Sequence, residues 1–561
     1  MSDVCCAEMD LWNVSERQPT AATAFEMGAR QREISVSEFF LRNRHLLGFD
    51  TPSKALITAV KEAVENALDA CEEAGILPEI AVQIHNRYGG KWRVVVEDNG
   101  PGIVEGQIAR IFGKLLYGSK FHKLSQSRGQ QGMGISAAGM YGQLTVGKPL
   151  HIISRIEGNE LANELYVSID TAKNRPDIHK KKQLKWDRAH GTRVSIEMEG
   201  LYQKGPHSIE VYLKQSAIAN PHATFVFQAP NGEEIRFERS IDELPPRPRE
   251  IKPHPYGIEL GRLIQMLSET PSRTLMQFLV DEFSSVGKKT GSEIIARAGK
   301  QLTARSHPKH IARAQASALH QAIQHTRISA PRTDCIVPIG EQRLLDGLRK
   351  ELQADFHTVA TRPAAVYRGN PFQVEVAIAY GRPEDAGFEL DDSGHMHRKS
   401  TVSEHLIARR NEPVRLLRFA NRVPLLYQQS SCAITKAVVQ TNWRAYGLQQ
   451  TKGAIPIAPM GILVHVASVW VPYTSESKEA VAPYPEILKE IRLGLQQCGR
   501  KLAHYLRRRM QLQREYERRI YIEKYLPHIG IALQEILELT DEERDSAVSR
   551  LDDVLHKSRK T

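Results

Sequence analysis

Residues 61–70, KEAVENALDA, constrain this chain more than any other segment. Glu62 and Asn66 are four residues apart and Asp69 follows a turn later, so a helix carries them on one face. Val60, Ala63, Val64, Ala67 and Cys71 form the opposite face, a core stripe. A helix that turns a carboxylate, an amide and a second carboxylate toward one spot can polarise a water and hold a metal ion.

Three further segments carry chemistry. Residues 92–97, WRVVVE, read as a strand that delivers Asp98 to its end, and the run Asp98-Asn99-Gly100-Pro101-Gly102-Ile103 follows. Gly100 and Gly102 allow a sharp turn and the close approach of a flat ring. Residues 128–142, RGQQGMGISAAGMYG, form a glycine-rich loop leading into a helix of small residues. Exposed N–H groups and a helix N-terminus make an anion cradle there. The loop lacks a Lys-Ser/Thr pair after its glycines and no strand runs straight into it, which excludes the common P-loop and dinucleotide fingerprints. Gly191-Thr192 opens a strand at residues 193–197.

In this order and spacing the four segments resemble the GHKL ATPases, the group of gyrase, Hsp90, histidine kinases and MutL, over residues 50–200. The resemblance implies ATP and Mg²⁺ as cofactors. It makes Glu62 the general base for the attacking water and Asn66 the metal ligand. Asp98 would accept from the adenine amino group with Thr192 in support, and Gly129, Gly132 and Gly134 would wrap the phosphates. The rest of the implied nucleotide site is Gly100, Gly102, Ser119, Lys120, Gln130, Gln131 and Met133. Phosphoryl transfer needs positioning and charge neutralisation more than covalent help, in keeping with such a set.

The remaining chain narrows the resemblance to the family of DNA topoisomerase VI B subunits. Helical patterns flank two breaks, Glu269–Ser272 and Val286–Gly291, as in that family's helix–two-turns–helix insert, with Leu279, Phe283 and Val286 as core positions. Lys288 and Lys289 offer charge to a DNA phosphate. Residues 419–427, FANRVPLLY, and 442–448, NWRAYGL, resemble segments of the family's transducer domain. In the second, Arg444 stands where the family has Lys; Trp443 and Tyr446 suit a DNA contact and core packing equally. Residues 471–482, VPYTSESKEAVA, follow an apolar strand and precede a long helical pattern; by resemblance Lys478 is the switch lysine that reaches the terminal phosphate. Lys180, Lys181 and Lys182 lie where the family carries a basic loop implicated in DNA contact.

The expected fold class is α+β: a GHKL (Bergerat) ATPase sandwich, a helix–two-turns–helix insert, and an α/β transducer with a βαβ element and a long C-terminal helix. The expected partition is a tail and strap at 1–50, the ATPase domain at 51–235, the insert at 254–310, the transducer at 311–505 and a helical tail at 506–561. The 561 residues suit three or four domains, and the net charge of +11 favours a polyanionic partner. Six scattered cysteines without CxxC spacing speak against a zinc site or disulfide framework. The apolar run 454–473, broken by Pro456 and Pro459, reads as a pair of core strands rather than a membrane span. The N-terminus lacks a signal peptide, which implies the cytoplasm.

The resemblance further implies ATP-driven closure of a homodimer around double-stranded DNA. No tyrosine sits in a nucleophile context and no Toprim-like acidic set is visible, Asp391-Asp392 lying in a polar loop. A separate cleavage protein, the topoisomerase VI A subunit, is therefore expected in an A2B2 heterotetramer, docked on the C-terminal helix. Alternatives are a MutL-like or Hsp90-like ATPase, which would lack the insert, and a nucleotide-gated DNA-binding scaffold, which would not need Glu62. About fifty residues ahead of the helix are too few for a histidine kinase's dimerisation hairpin.

Overall fold

A computed structural model describes residues 24–29, 31, 34–35, 38–39, 42–120, 123–129, 132–352, 354–381, 389–390, 396–397, 412–475 and 477–557. The two-faced segment lies in a helix, Pro52–Ala74, hereafter the site helix. Its ends follow from local chemistry: the Thr51 side chain accepts from the Lys54 N–H, Pro52 supplies a first helical residue that needs no donor, and Gly75 closes the helix at φ 79°. Val60, Ala63, Val64, Ala67 and Cys71 are buried as the stripe predicts. Each larger aliphatic side chain so buried contributes roughly 1.5–3 kcal/mol.

That stripe packs on an eight-stranded mixed sheet. Its strands are β1 (Glu79–Arg87), β2 (Lys91–Asp98), β3 (Leu150–Arg155), β4 (Ala162–Asp170), β5 (Arg175–Leu184), β6 (Gly191–Glu199), β7 (Thr224–Gln228) and β8 (Glu234–Phe237). They run in the order β5-β4-β3-β6-β2-β1-β7-β8, with β1 and β7 parallel and the other neighbours antiparallel. The glycine-rich loop ends in a second helix, Gly134–Val146, packed on β6 and on the site helix. Between these two helices and the sheet end lies the site.

A second core is helical. Leu260–Glu269, Leu275–Glu282 and Lys288–Ala298 bury Leu263, Phe278, Leu279, Phe283, Val286 and Ile294 together. The helix Arg313–His325 completes this core through Ala316, Leu319 and Ile323. The expected insert ends at residue 310 and leaves this helix to the transducer; its apolar face, spaced three and four residues apart, instead seals the insert.

The third core surrounds a six-stranded sheet. Met460–Ser468 is buried at all nine positions, antiparallel to Asn370–Tyr380 and parallel to Arg415–Ala420. The parallel pair is joined through helix Ala433–Gln440, the expected βαβ element. The apolar run 454–473 thus supplies one strand, not two: Pro456 and Pro459 lack the N–H a ladder requires, and only the stretch after them pairs continuously. A 53-residue helix, Pro485–Leu537, covers the sheet with Ile487, Ile491, Leu495, Cys498 and Leu502, then runs beyond it. Helix Asp541–Lys557 packs back against its far part. Asp391, Asp392, Gly394 and His395 lie outside the described residues. Among the described residues no helix is long and apolar enough to cross a membrane.

Candidate nucleotide site

The polar face of the site helix lines a cavity of about 620 Å³ together with the end of β2, the glycine-rich loop and a loop of the third core. Its volume falls within the roughly 300–1,000 Å³ typical of small-molecule sites. Glu62, Asn66, Asp98, Gly102, Ser119, Lys120, Gly129, Gly132, Met133, Gly134, Thr192 and Lys478 all line it. Gly100 does not; its N–H donates to the Asp98 carboxylate from behind at 2.8 Å. Gln130 and Gln131 lie outside the described residues.

Asp98 sits at the end of β2 opposite Thr192 of β6. Its Oδ1 accepts from the N–H groups of Gly100 and Thr192, the latter at 3.2 Å. Ser154 of β3 ties the surround together, its hydroxyl 3.0 Å from the Thr192 hydroxyl and accepting from the Ile103 N–H at 2.9 Å. Burial pushes the Asp98 carboxyl up to about 6 against the pull of those two N–H donors. An aspartate held in this way offers a fixed acceptor to a hydrogen-bond donor on a flat ring.

At the other end, the helix beginning at Gly134 turns its N-terminus to the cavity wall, where first-turn N–H groups have no partner within the helix. Gly134 lies close against Glu62: a Cβ there would fall 1.7 Å from the Glu62 Oε2 and would displace the carboxylate. Glu62 has no hydrogen-bond or ion-pair partner among the described residues. Lys478, only 6% exposed, reaches the same end of the cavity from the loop that follows Met460–Ser468. Its Nζ lies 2.9 Å from the Glu65 carboxylate. Burial opposes its charge, but the Glu62 and Glu65 carboxylates hold the ammonium above the ordinary lysine range.

Asp69 departs from the expectation that it joins Glu62 and Asn66 around a metal. Lys120 Nζ lies 2.7 Å and Arg128 2.8 Å from its two oxygens. Arg128 also makes a two-pronged contact with Glu72, which pairs with His222 at 2.7 Å. Despite burial, the two cations keep the Asp69 carboxyl below the usual range. Asp69 thus lines the cavity with its charge already engaged and anchors the glycine-rich loop, leaving Glu62 and Asn66 as the groups on this face without a cation partner among the described residues. A carboxylate and an amide oxygen one turn apart suit a hard cation whose other ligands are phosphate oxygens and water. Among the described residues there is no cluster of three or more His, Cys, Asp or Glu able to hold a metal alone.

A family model described as "Histidine kinase-, DNA gyrase B-, and HSP90-like ATPase" matches residues 51–199, and one described as "Topoisomerase VI B subunit, transducer" matches residues 331–518. The type 2 DNA topoisomerase 6 B subunit of Archaeoglobus fulgidus is 45% identical over 534 residues, covering 95% of this chain and 84% of that protein. The chain belongs to the family of type 2 DNA topoisomerase 6 B subunits. Members from Methanococcoides burtonii and Thermococcus sibiricus are 46% and 38% identical over 92% and 91% of the chain, covering 79% and 93% of those proteins. The chain combines a GHKL-type ATPase fold with a transducer domain.

Several expected DNA contacts need correction. Trp443 is completely buried and donates its indole N–H to the Val438 carbonyl at 2.8 Å. Tyr446 packs edge-on against it and against Gly499 of the long helix. Both are core aromatics of the transducer; Arg444 alone of the three is exposed, with its Nε donating to the Gln450 carbonyl. Lys180–Lys182 lie on β5 rather than in a loop. Lys181 pairs with Glu105, Lys182 with Glu164 at 2.8 Å, and Lys180 stands over the Tyr166 ring. Lys288 and Lys289 are exposed on the first turn of the helix Lys288–Ala298.

The residues missed by the sequence reading join the ATPase layer to the transducer. Lys54, Thr58, Lys61 and Glu65 form a third stripe along the site helix. Lys54 pairs with Glu479, Lys61 donates to the Ser477 carbonyl at 3.1 Å and Glu65 holds Lys478. Their spacing of four, three and four is visible in the sequence, but the eye stops at the richer neighbouring face. Asn421 and Arg422, inside FANRVPLLY, adopt left-handed φ of 47° and 66° and are buried. Asn421 donates to the Ser127 carbonyl beside the glycine-rich loop at 3.0 Å, and the Arg422 carbonyl accepts from Asn220.

Proposed function

We propose that this chain binds and hydrolyses ATP with Mg²⁺ to drive double-strand DNA passage, working as a homodimer with a separate cleavage protein, the topoisomerase VI A subunit, in an A2B2 assembly in the cytoplasm. The observation that carries this reading is the convergence of Glu62, Asn66, Asp98, Gly134 and Lys478 on one cavity. Adenine would be read by Asp98 and Thr192, and the triphosphate would run along Gly129, Gly132 and the helix start at Gly134. Glu62, facing the phosphate end with no partner among the described residues, would take the proton of the attacking water. Asn66 would hold Mg²⁺, which when bound supplies charge neutralisation across the phosphate oxygens. Lys478 would contact the terminal phosphate and so report nucleotide state to the transducer.

The domain partition that accompanies this reading is an ATPase layer to about residue 235, an insert extending through Arg313–His325 and a transducer beginning near 331. DNA would be met by Lys288, Lys289 and Arg444, with the β5 lysines as a secondary basic face.

The test is ATP hydrolysis by the purified chain with and without duplex DNA, followed by plasmid relaxation on adding a type IIB cleavage partner. The expected result is hydrolysis by the chain alone and relaxation only with the partner and ATP. Relaxation that ignores ATP would overturn the proposal.

A further inference from the structure

Glu62 and Glu65 stand three residues apart on the site helix and meet different fates. Glu62 opens to the cavity beside Gly134. Glu65 is only 1% exposed; its Oε2 takes the Lys478 ammonium at 2.9 Å, and its Oε1 is sealed without a hydrogen bond, 3.9 Å from the Lys61 ammonium. The Lys478 backbone is left-handed at φ 52°, a conformation that costs free energy unless its surroundings impose it. The grips of Lys54 on Glu479 and of Lys61 on the Ser477 carbonyl flank that residue on both sides.

We propose that Glu65 is a positioning residue for hydrolysis: it holds the Lys478 ammonium at the cavity wall and keeps it from pairing with Glu62, so that the base stays available to water. The inference rests on the reading of Lys478 as the phosphate contact. An ammonium buried near two carboxylates settles on the one that offers the closest, driest pairing. Without Glu65, the remaining carboxylate is Glu62. The same loss would release the loop that carries Lys478, so the rate should suffer twice while the walls that grip adenine stay untouched.

The experiment uses the full-length chain with E65Q, E65D, K478M and the E65Q/K478M pair, measuring kcat and KM for ATP, affinity for a non-hydrolysable ATP analogue, and melting temperature. Expected are a fall of about tenfold or more in kcat for E65Q with KM and analogue affinity nearly unchanged, partial recovery in E65D, and a double variant no slower than K478M alone. Unchanged kcat in E65Q, or losses that multiply in the double variant, would overturn the role of Glu65. If E65Q does not fold, E65D carries the test: a lower kcat at constant KM supports the role, and a normal kcat removes it. K478M turning over like the unmodified protein would instead remove the reading of Lys478.

Discussion

At the residue scale the site depends on carboxylates left open to a ligand. Glu62 is useful because no described residue pairs with it. E62Q should lower hydrolysis by about 10²–10⁴-fold, the usual contribution of a general base, while leaving analogue binding within a few-fold; a phosphate-release assay beside equilibrium binding checks both halves. Asp98 makes a second prediction through its raised titration. On the proposed reading the adenine amino group would pair with the ionised form, so binding would favour the carboxylate. Nucleotide affinity should be fully present above about 6 and decline as the pH falls through that value, by at most about tenfold per unit. Titration of the nucleotide itself is common to both proteins, so the ratio of affinities for the unmodified chain and D98N isolates the effect. A ratio that stays flat from mildly acid to mildly alkaline pH would contradict it.

At the element scale, the glycine-rich loop is tied down where it meets the helices. Arg128, completing pairs with Asp69 and Glu72, is 5% exposed. R128A would take the shared cation from the half-buried Asp69 and Glu72, which keep Lys120 and His222, and should cost about 1.5–3 kcal/mol of folding stability, read from urea unfolding. These ties also mark how far the sequence could be read. The site helix, β2 and the glycine loop were legible because each is a local pattern: a periodic stripe, a β-branched run into Asp98, glycines before small residues. The Arg128 junction was not, because Asp69, Asn220, His222 and Arg422 come from distant segments and only the fold assembles them. Trp443 shows the converse: an aromatic beside an arginine looks the same in sequence whether it faces DNA or the core, and burial alone decides.

For the whole molecule, the net charge of +11 and the exposed helix start at Lys288 lead us to expect DNA binding that proceeds with counterion release. Replacing Lys288 and Lys289 by alanine should reduce the slope of log affinity against log salt by about 2, without altering hydrolysis in the absence of DNA. The long helix sets the limits of a partner-binding test. Ile487, Ile491, Leu495 and Leu502 are core residues, so a truncation at 485 would unfold the transducer; one that removes 510–557 spares them. That truncated chain should retain hydrolysis and lose the cleavage partner in pull-down.

The same helix has a mechanical consequence. It starts at Pro485, seven residues after Lys478, and its 53 residues measure about 80 Å end to end. Its first turns lie on the transducer sheet and the rest projects beyond it, with Pro527 removing one rung of the hydrogen-bond ladder on the way. A tilt of about 5° at the Pro485 end, the scale of a side chain changing partners, sweeps the tip through about 7 Å along that length. If Lys478 follows the terminal phosphate as proposed, whatever rides on the far end would feel an ångström-sized event there as a displacement wider than a strand spacing.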